Sequence, residues 1–433
     1  MRLPDLRRKI LFTVFILVIY QFAAHVSVPG VDRDVLEQVF SGTAGGAANV
    51  LDLLSGGAVR NFSIIANGVY PYITASIILQ LLVPIVPRLE AIAKEPGGQD
   101  KINQWTYYLA IPMGMLQSIG QINIFQASVS GGNLIEGFGS DLLVTASVVL
   151  TMTAGTMFAI WLGELITEQG IGNGISVIIF AGIVSQAPSG LYNLLQTNFV
   201  FNLVSFIVLT FVTVIAIVII NEGVRRIPVQ YGKRVRGRKQ YGGGSTHIPL
   251  RVNTAGMIPL IFAQSIITFP AILGSFLPEG SVRTWMTTNL GGATGLWYWV
   301  AFFVLVVGFT YFYTSVMVQN QNLADNLQRN GGFIPGIRPG KRTQTYINTV
   351  VNRITLVGAL FLGTIAILPG FMQIIISLVL GSAAAAAAGQ NFSTNPANVI
   401  GPSGLIIVVG VVIDTMRQLE AQLMMRNYSG FLR

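Results

Sequence analysis

Of 433 residues only 10% are charged while 52% are hydrophobic, far from the roughly 25% charge of soluble globular proteins, so the chain reads as an integral membrane protein. The net charge is +9, from 26 lysines and arginines against 17 acids. The absence of cysteine excludes disulfides, thiolate metal sites and catalytic cysteine chemistry, and His25 and His247 stand apart with no H-E-x-x-H spacing, so no metal site is read.

Apolar runs of about 20 residues, the length a helix needs to cross about 30 Å of hydrocarbon, recur along the whole sequence. The pattern is not the ten-residue alternation of a barrel. Ten spans are expected, at about residues 9–28, 69–86, 105–125, 141–163, 174–187, 202–221, 254–273, 298–318, 352–370 and 404–423. The first follows "RRK" as a secretory signal would. Its apolar run exceeds the about 7–15 residues of a signal core and no small-residue cleavage site follows, so it is read as a retained helix.

Before the second span, Ser55 to Gln80 reads "SGGAVRNFSIIANGVYPYITASIILQ". Its opening is too polar and glycine-rich to span, yet Phe62, Ile64 and Ile65 form a short apolar patch. It is either an ordinary external loop or a segment folded into the protein from outside. Pro71 suits a helix start, where a missing N–H costs little. Val69, Ile73 and Ile77 then recur on one face, a stripe that by itself reads as packing. "GIGNG" at Gly170–Gly174 lacks the Rossmann spacing, and "GIRPGKR" at Gly336–Arg342 has Arg342 where a P-loop needs Ser or Thr. Neither is read as a phosphate site.

The basic residues fall on one side. With the N-terminus in the cytoplasm, all 26 lysines and arginines except Arg33, Arg60 and Arg283 face inward, which fixes the orientation and places both termini in the cytoplasm. "RRIPVQYGKRVRGRKQYGGGSTHIPLRVN", Arg225 to Asn253, holds Arg234, Arg236, Arg238 and Lys239 and no acid. "RNGGFIPGIRPGKRTQ" adds Arg338, Lys341 and Arg342. Glycine and proline make both loops hairpins or turns rather than flat amphipathic helices, and the alternation at Ile227 to Tyr231 fits a short strand. Orienting helices takes only a few cations, so the surplus points to a polyanionic partner: RNA, an acidic protein or lipid headgroups.

Phe371 to Gly389, "FMQIIISLVLGSAAAAAAG", is apolar for nearly a span's length, and a crossing there would turn the tail outside; an external or re-entrant segment is expected instead, since Pro369 and Gly370 leave little room for a helical hairpin. Glu164, Glu222 and Asp414 lie near cytoplasmic helix ends and read as solvated or capping carboxylates. Mid-membrane ionisable groups, which would mark a solute or ion route, are nearly absent. The chain is therefore not expected to be an enzyme or to hold a cofactor, and any energy source belongs to a partner. A secondary transporter of a small solute is the alternative reading.

"NGVYPYITASIILQLL", "WLGELITEQGIGNGISVIIFAGIV", "RRIPVQYGKR", "STHIPLRVNTAGMIPLIFA", "GGFIPGIRPG", "TLVGALFLG" and "LIIVVGVVIDTMRQLEAQLMMRNY" resemble, in order, blocks of the SecY family, central subunits of the protein-translocation channel. The resemblance implies an all-α membrane protein of ten transmembrane helices in two inverted, pseudo-symmetric halves, 1–187 and 188–433, around an hourglass pore. It implies a pore ring of Val69, Ile73, Ile175, Ile179, Ile261 and Ile407, with polar Ser265 weakening the seal. Residues 55–66 match the plug: Ser55, Gly56, Gly57, Arg60, Phe62, Ile64 and Ile65, with Arg60 a departure from an apolar stopper. Gln80, Gln117 and Gln264 fall on helices of the lateral gate. Loops 222–253 and 319–351 match surfaces that dock the ribosome or the SecA motor, through Arg234, Arg236, Arg238, Lys239, Arg338, Lys341 and Arg342. The implied partners are SecE, SecG, SecA, the translating ribosome, signal-bearing preproteins and membrane lipids, in a bacterial inner membrane.

Overall fold

The computed structural model describes residues 4–32, 35–36, 57–127, 134–196, 199–231, 234–236, 239–241, 245–275, 277, 280–290, 296–321, 323–368 and 402–430. The expected external segment after residue 370 lies outside these, as do Ser55, Gly56 and Arg238.

The chain is helical. The elements are α1 (Pro4–Ala23), α2 (Tyr70–Leu82), α3 (Pro87–Lys94), α4 (Gly98–Ala127), α5 (Leu142–Gln169), α6 (Gly174–Gln196) and α7 (Phe199–Glu222). Four strands follow, β1 (Val224–Tyr231), β2 (Arg234–Arg236), β3 (Lys239–Tyr241) and β4 (Ser245–Arg251). Then come α8 (Ile258–Ser275), α9 (Ser281–Asn289), α10 (Leu296–Gln321), α11 (Leu323–Arg329), β5 (Gly332–Phe333), α12 (Lys341–Ala366) and α13 (Pro402–Gly430). A helix falls on each of the ten apolar stretches read from the sequence. Among the described residues, three spans are long and apolar enough by themselves to cross a membrane: Leu142–Gln169, Trp297–Arg329 and Lys341–Ala366.

Local chemistry sets the breaks. Pro84 and Pro87 lack the N–H groups that would continue α2, so α2 stops at Leu82 and α3 restarts with Pro87 in its first turn, bent by 106°. The Asp141 carboxylate caps α5 by accepting from the Leu143 N–H at 3.0 Å. Gly172, at φ 86°, makes the sharp turn between α5 and α6 in "GIGNG". Gly174 then lies so close to α5 that a Cβ would overlap the Gly163 carbonyl.

The basic loops add what an all-α description lacks. β1 pairs with β4 in an antiparallel hairpin with Ile227 opposite Ile248, and β5 pairs with β1 with Phe333 opposite Gln230. One sheet, ordered β4-β1-β5, thus joins the two loops. Ile227 and Val229, two apart on one face, are buried with Leu250, Leu327, Ile334, Ile347 and Val351 in a core of their own. That core explains why α12 begins at Lys341, ahead of the expected span: its first turns bury Ile347 and Val351 against the sheet.

The largest cluster brings α1, α2, α5, α6, α8 and α13 together through Ile16, Tyr20, Ile73, Ile166, Ile179, Phe262 and Ile407 among others. A second joins α7, α8, α10, α12 and α13. A third gathers the segment after α1, residues 59–66 and α4 and α5.

Truncating Ile227 to alanine should cost about 2–5 kcal/mol, the usual range for a buried Ile-to-Ala change. Limited trypsin digestion should then cut within 224–251 at least tenfold faster than in the parent, with the membrane helices still protected.

Candidate functional site

Val69 is the N-cap of α2 and Ile73 follows one turn later; Ile175 and Ile179 sit in the first turns of α6, Ile261 on α8 and Ile407 on α13. These positions are up to 338 residues apart in sequence, from Val69 to Ile407, yet the fold brings all six into one cluster. Val69, Ile73, Ile179 and Ile407 are buried, and Ile175 and Ile261 are half-buried against them. Ile77 is buried in the same cluster, and Ser265, one turn beyond Ile261, is 2% exposed. Five of the six ring residues, all but Ile175, line a cavity of about 50 Å³, room for no more than a few waters. The branched aliphatic side chains offer water no hydrogen-bond partner, so their part of the wall favours being dry, while Asn67, Gln117, Gln121 and Gln264 give the same cavity a polar portion.

The segment preceding α2 packs inward against this cluster. Its turns are closed by Phe62 N–H to the Val59 carbonyl and Ser63 N–H to the Ala58 carbonyl, each 2.9 Å. It is tied to the stretch after α1 by Val28 N–H to the Phe62 carbonyl and Ile64 N–H to the Val26 carbonyl, each 2.9 Å. Ile65 is fully buried in the cluster that holds the ring, and Phe62 is fully buried beside it, edge-on to Phe125 at 5.8 Å. Ile64 is half-buried against both clusters. Gly57, at φ 86°, opens the turn, and Arg60 is exposed. At Gly155 on α5 a Cβ would overlap the Ile64 carbonyl, so glycine is what lets the segment seat.

Asn67 fastens the other end of this segment, donating to Ser118 Oγ at 2.7 Å and the Gly114 carbonyl at 3.4 Å on α4. Nothing in the sequence signals the bond from Asn67 to α4. Of the three glutamines, Gln117 donates to Thr74 Oγ1 on α2 at 3.3 Å, and Gln264 on α8 is buried; both line the 50 Å³ cavity, with Gln121. Gln80 instead donates to Ser76 Oγ on its own helix at 3.0 Å and is not part of that lining.

A larger cavity, about 410 Å³, opens where β4, α6, α8 and α13 meet, lined by Asn173, Ser176, Arg251, Asn253, Asp414 and Arg417 among others. On α13, Ile407, Val411 and Asp414 share a face at i, i+4 and i+7, so one helix runs from the dry constriction into this polar chamber. Glu222 and Asp414 are each more than half exposed, as expected at helix ends, and both also meet Arg417. Arg417 Nη2 meets Glu222 Oε1 at 2.7 Å, and Nη1 lies 3.8 Å from Asp414 Oδ1. The sequence offers no spacing that would pair Arg417 with a residue 195 positions away.

Among the basic residues, Arg338 is exposed in the turn after β5, where its carbonyl accepts from Thr343 Oγ1 at 3.0 Å. Lys341 and Arg342 are exposed in the first turn of α12. Arg234 and Arg236 lie on β2 and Lys239 on β3, with Arg236 opposite Lys239.

The SecY family profile matches residues 63–416. The protein translocase subunit SecY of Streptomyces griseus is 41% identical over 443 residues, covering 99% of this chain and 98% of that protein. That of Halalkalibacterium halodurans is 42% identical over 450 residues, covering 100% and 98%. Two solved structures share the fold. One, described as a protein conducting channel, has a TM-score of 0.61 at 17% identity, covering 96% of this chain and 92% of its own. The other, Sec61 in a canine ribosome-channel complex, has a TM-score of 0.59 at 16% identity over the same shares.

Because the chain has no cysteine, single-cysteine labelling reads the seating of the segment cleanly. Overpacking costs about 1–3 kcal/mol, so Gly155→Val should raise maleimide labelling of Ser63→Cys, a fully buried site, at least about fivefold.

Proposed function

The chain belongs to the SecY family, and from that premise we propose that it is the pore subunit of a protein translocase, conducting unfolded polypeptides across the membrane and releasing apolar segments sideways into lipid. The observation that carries this reading is the convergence of Val69, Ile73, Ile175, Ile179, Ile261 and Ile407 in one cluster, with Ile65 seated against them.

The chemistry fits a passing chain of any sequence. An apolar waist excludes water and ions by dewetting while presenting no fixed donors or acceptors to match. Branched side chains part around an extended backbone and close behind it. Residues 55–66, from Ser55 and Gly56 onward, serve as the plug. Its polar tip, Arg60, is turned to the watery side, and its apolar residues are buried.

The ten helices act as two halves, 1–187 and 188–433, that part along a lateral gate formed by α2 and α4 on one side and α8 and α10 on the other. Gln117 and Gln264 supply polar contacts at the gate; Gln80, bonded within α2, is the weaker candidate. Interhelical hydrogen bonds in membranes average about 0.6 kcal/mol. A signal core of about ten leucine-like residues gains on the order of 3–6 kcal/mol on entering lipid. The second quantity exceeds a few of the first, so an apolar segment can open the gate that a polar one leaves shut.

The work of pushing comes from partners. The basic sheet and Arg338, with Lys341, Arg342, Arg234, Arg236, Arg238 and Lys239, form the docking surface for the ribosome or the SecA motor. A relative bound to a ribosome, Sec61 in the canine complex, supports the first. SecE and SecG complete the complex in a bacterial inner membrane, with both termini cytoplasmic. A small-solute transporter would require mid-membrane charges that the sequence lacks.

A stalled secretory chain should cross-link to photoreactive residues at Ile73 and Ile261. An active complex without those cross-links would remove the pore assignment. Arg338→Glu should lower partner-driven translocation at least about tenfold, the cost of losing a charge-assisted contact of about 1.5–3 kcal/mol. Vesicle transport assays with intact membrane insertion check it.

A further inference from the structure

The neck of the basic sheet is held by a polar knot that also holds α13. Glu222 ends α7 and β1 begins at Val224; where β4 returns, Val252 N–H donates to the Gly223 carbonyl at 2.8 Å and closes the neck. Asn253 Nδ2 donates to Asn221 Oδ1 at 2.6 Å and to the Gly256 carbonyl at 3.1 Å, joining the neck to the approach to α8. α12 braces it, since a Cβ at Gly358 would lie 2.8 Å from the Val252 carbonyl. Into this assembly reaches Arg417 of α13, with Nη2 on Glu222 Oε1 at 2.7 Å and on the Asn221 carbonyl at 3.4 Å.

α13 is the helix that carries Ile407. Ten residues separate Ile407 from Arg417, about 15 Å of helix. Between them its buried residues, Ile407 and Val411, make apolar contacts, and such contacts are non-directional. A guanidinium that grips a carboxylate and a carbonyl is directional. The Arg417 side chain is 27% exposed and that of Glu222 56%, so the arginine is partly shielded while the carboxylate stays open to solvent.

We propose that Arg417 is a positioning residue: it ties the neck of the basic sheet to α13, so that a partner pressing on the sheet shifts Ile407 and loosens the constriction. Without the tie, the sheet still binds its partner but the displacement does not reach the ring. This rests on docking through the basic loops as proposed above.

The test uses the complete channel complex in lipid vesicles with saturating SecA as the docking partner. It compares the parent with Arg417→Gln, Glu222→Gln, the double variant, Arg417→Lys, and the exchange Arg417→Glu with Glu222→Arg. SecA binding should stay within about twofold in all of them, while the single neutral variants lose about two- to fivefold in translocation rate, the range for one partly exposed pair. The double variant should be no slower than the slower single one, because both remove the same contact. Arg417→Lys should lie between parent and Arg417→Gln, and the exchange should recover at least half the lost rate. Parent-level rates in Arg417→Gln, losses that multiply in the double variant, or no recovery in the exchange would each overturn the proposal. Arg338→Glu separates the two readings. If it binds SecA at parent level, docking through the loops fails and the inference with it. If it loses binding while Arg417→Gln transports normally, the tie alone fails.

Discussion

Burial of a cluster of branched aliphatic side chains where four helices meet is the constraint on which the remaining architecture turns. Its members stand on α6, α8, α13 and the start of α2, helices that reach one another only when the whole bundle is assembled. Burying a Val or Ile side chain from water is worth about 1.5–3 kcal/mol, so the cluster is stabilised only where the alternative neighbour is water rather than lipid. Because that attraction has no direction, it survives sliding and parting and returns when the surfaces meet again. Directional contacts adjoin it: Asn67 and Gln117, which line the same cavity, and the Arg417 knot farther along α13.

Close approach of backbones makes this arrangement possible. Helices in lipid gain little from apolar burial against one another, so they pack through small residues. Gly155 admits the Ile64 carbonyl, Gly174 admits the Gly163 carbonyl and Gly358 admits that of Val252. Each places main chain against main chain at a junction: the inward segment on α5, the α5–α6 turn, and the sheet neck on α12. Thr13 adds a polar stitch, accepting the Ile171 N–H at 3.2 Å and so tying α1 to that turn.

The parts legible in the sequence are those governed by length and periodicity. Uninterrupted apolar runs located the ten helical stretches, and the alternation of Ile227 and Val229 foretold β1. Resemblance supplied six ring positions that no local pattern picks out, and the fold gathers all six. What stayed hidden depends on residues distant in the chain. Two residues, Gly332 and Phe333, complete a sheet begun about a hundred positions earlier, and a strand that short carries no periodic signal. Glu222 looks solvated at its helix end because the guanidinium that engages it arrives from another helix, 195 positions on, whereas Asp414 meets the same Arg417 from three residues earlier on α13. Gln80 and Gln117 look equivalent in the sequence, but helix rotation turns one to Ser76 of its own helix and the other to Thr74 of a neighbour.

Phe62 holds its ring fully buried on a backbone at φ 41°, a left-handed conformation that costs a bulky residue on the order of 1–3 kcal/mol. The pocket rewards the side chain while the main chain resists the posture. Seated and unseated positions of the segment therefore differ by less than ring burial alone would give. At this one residue, side-chain burial and main-chain strain thus pull in opposite directions.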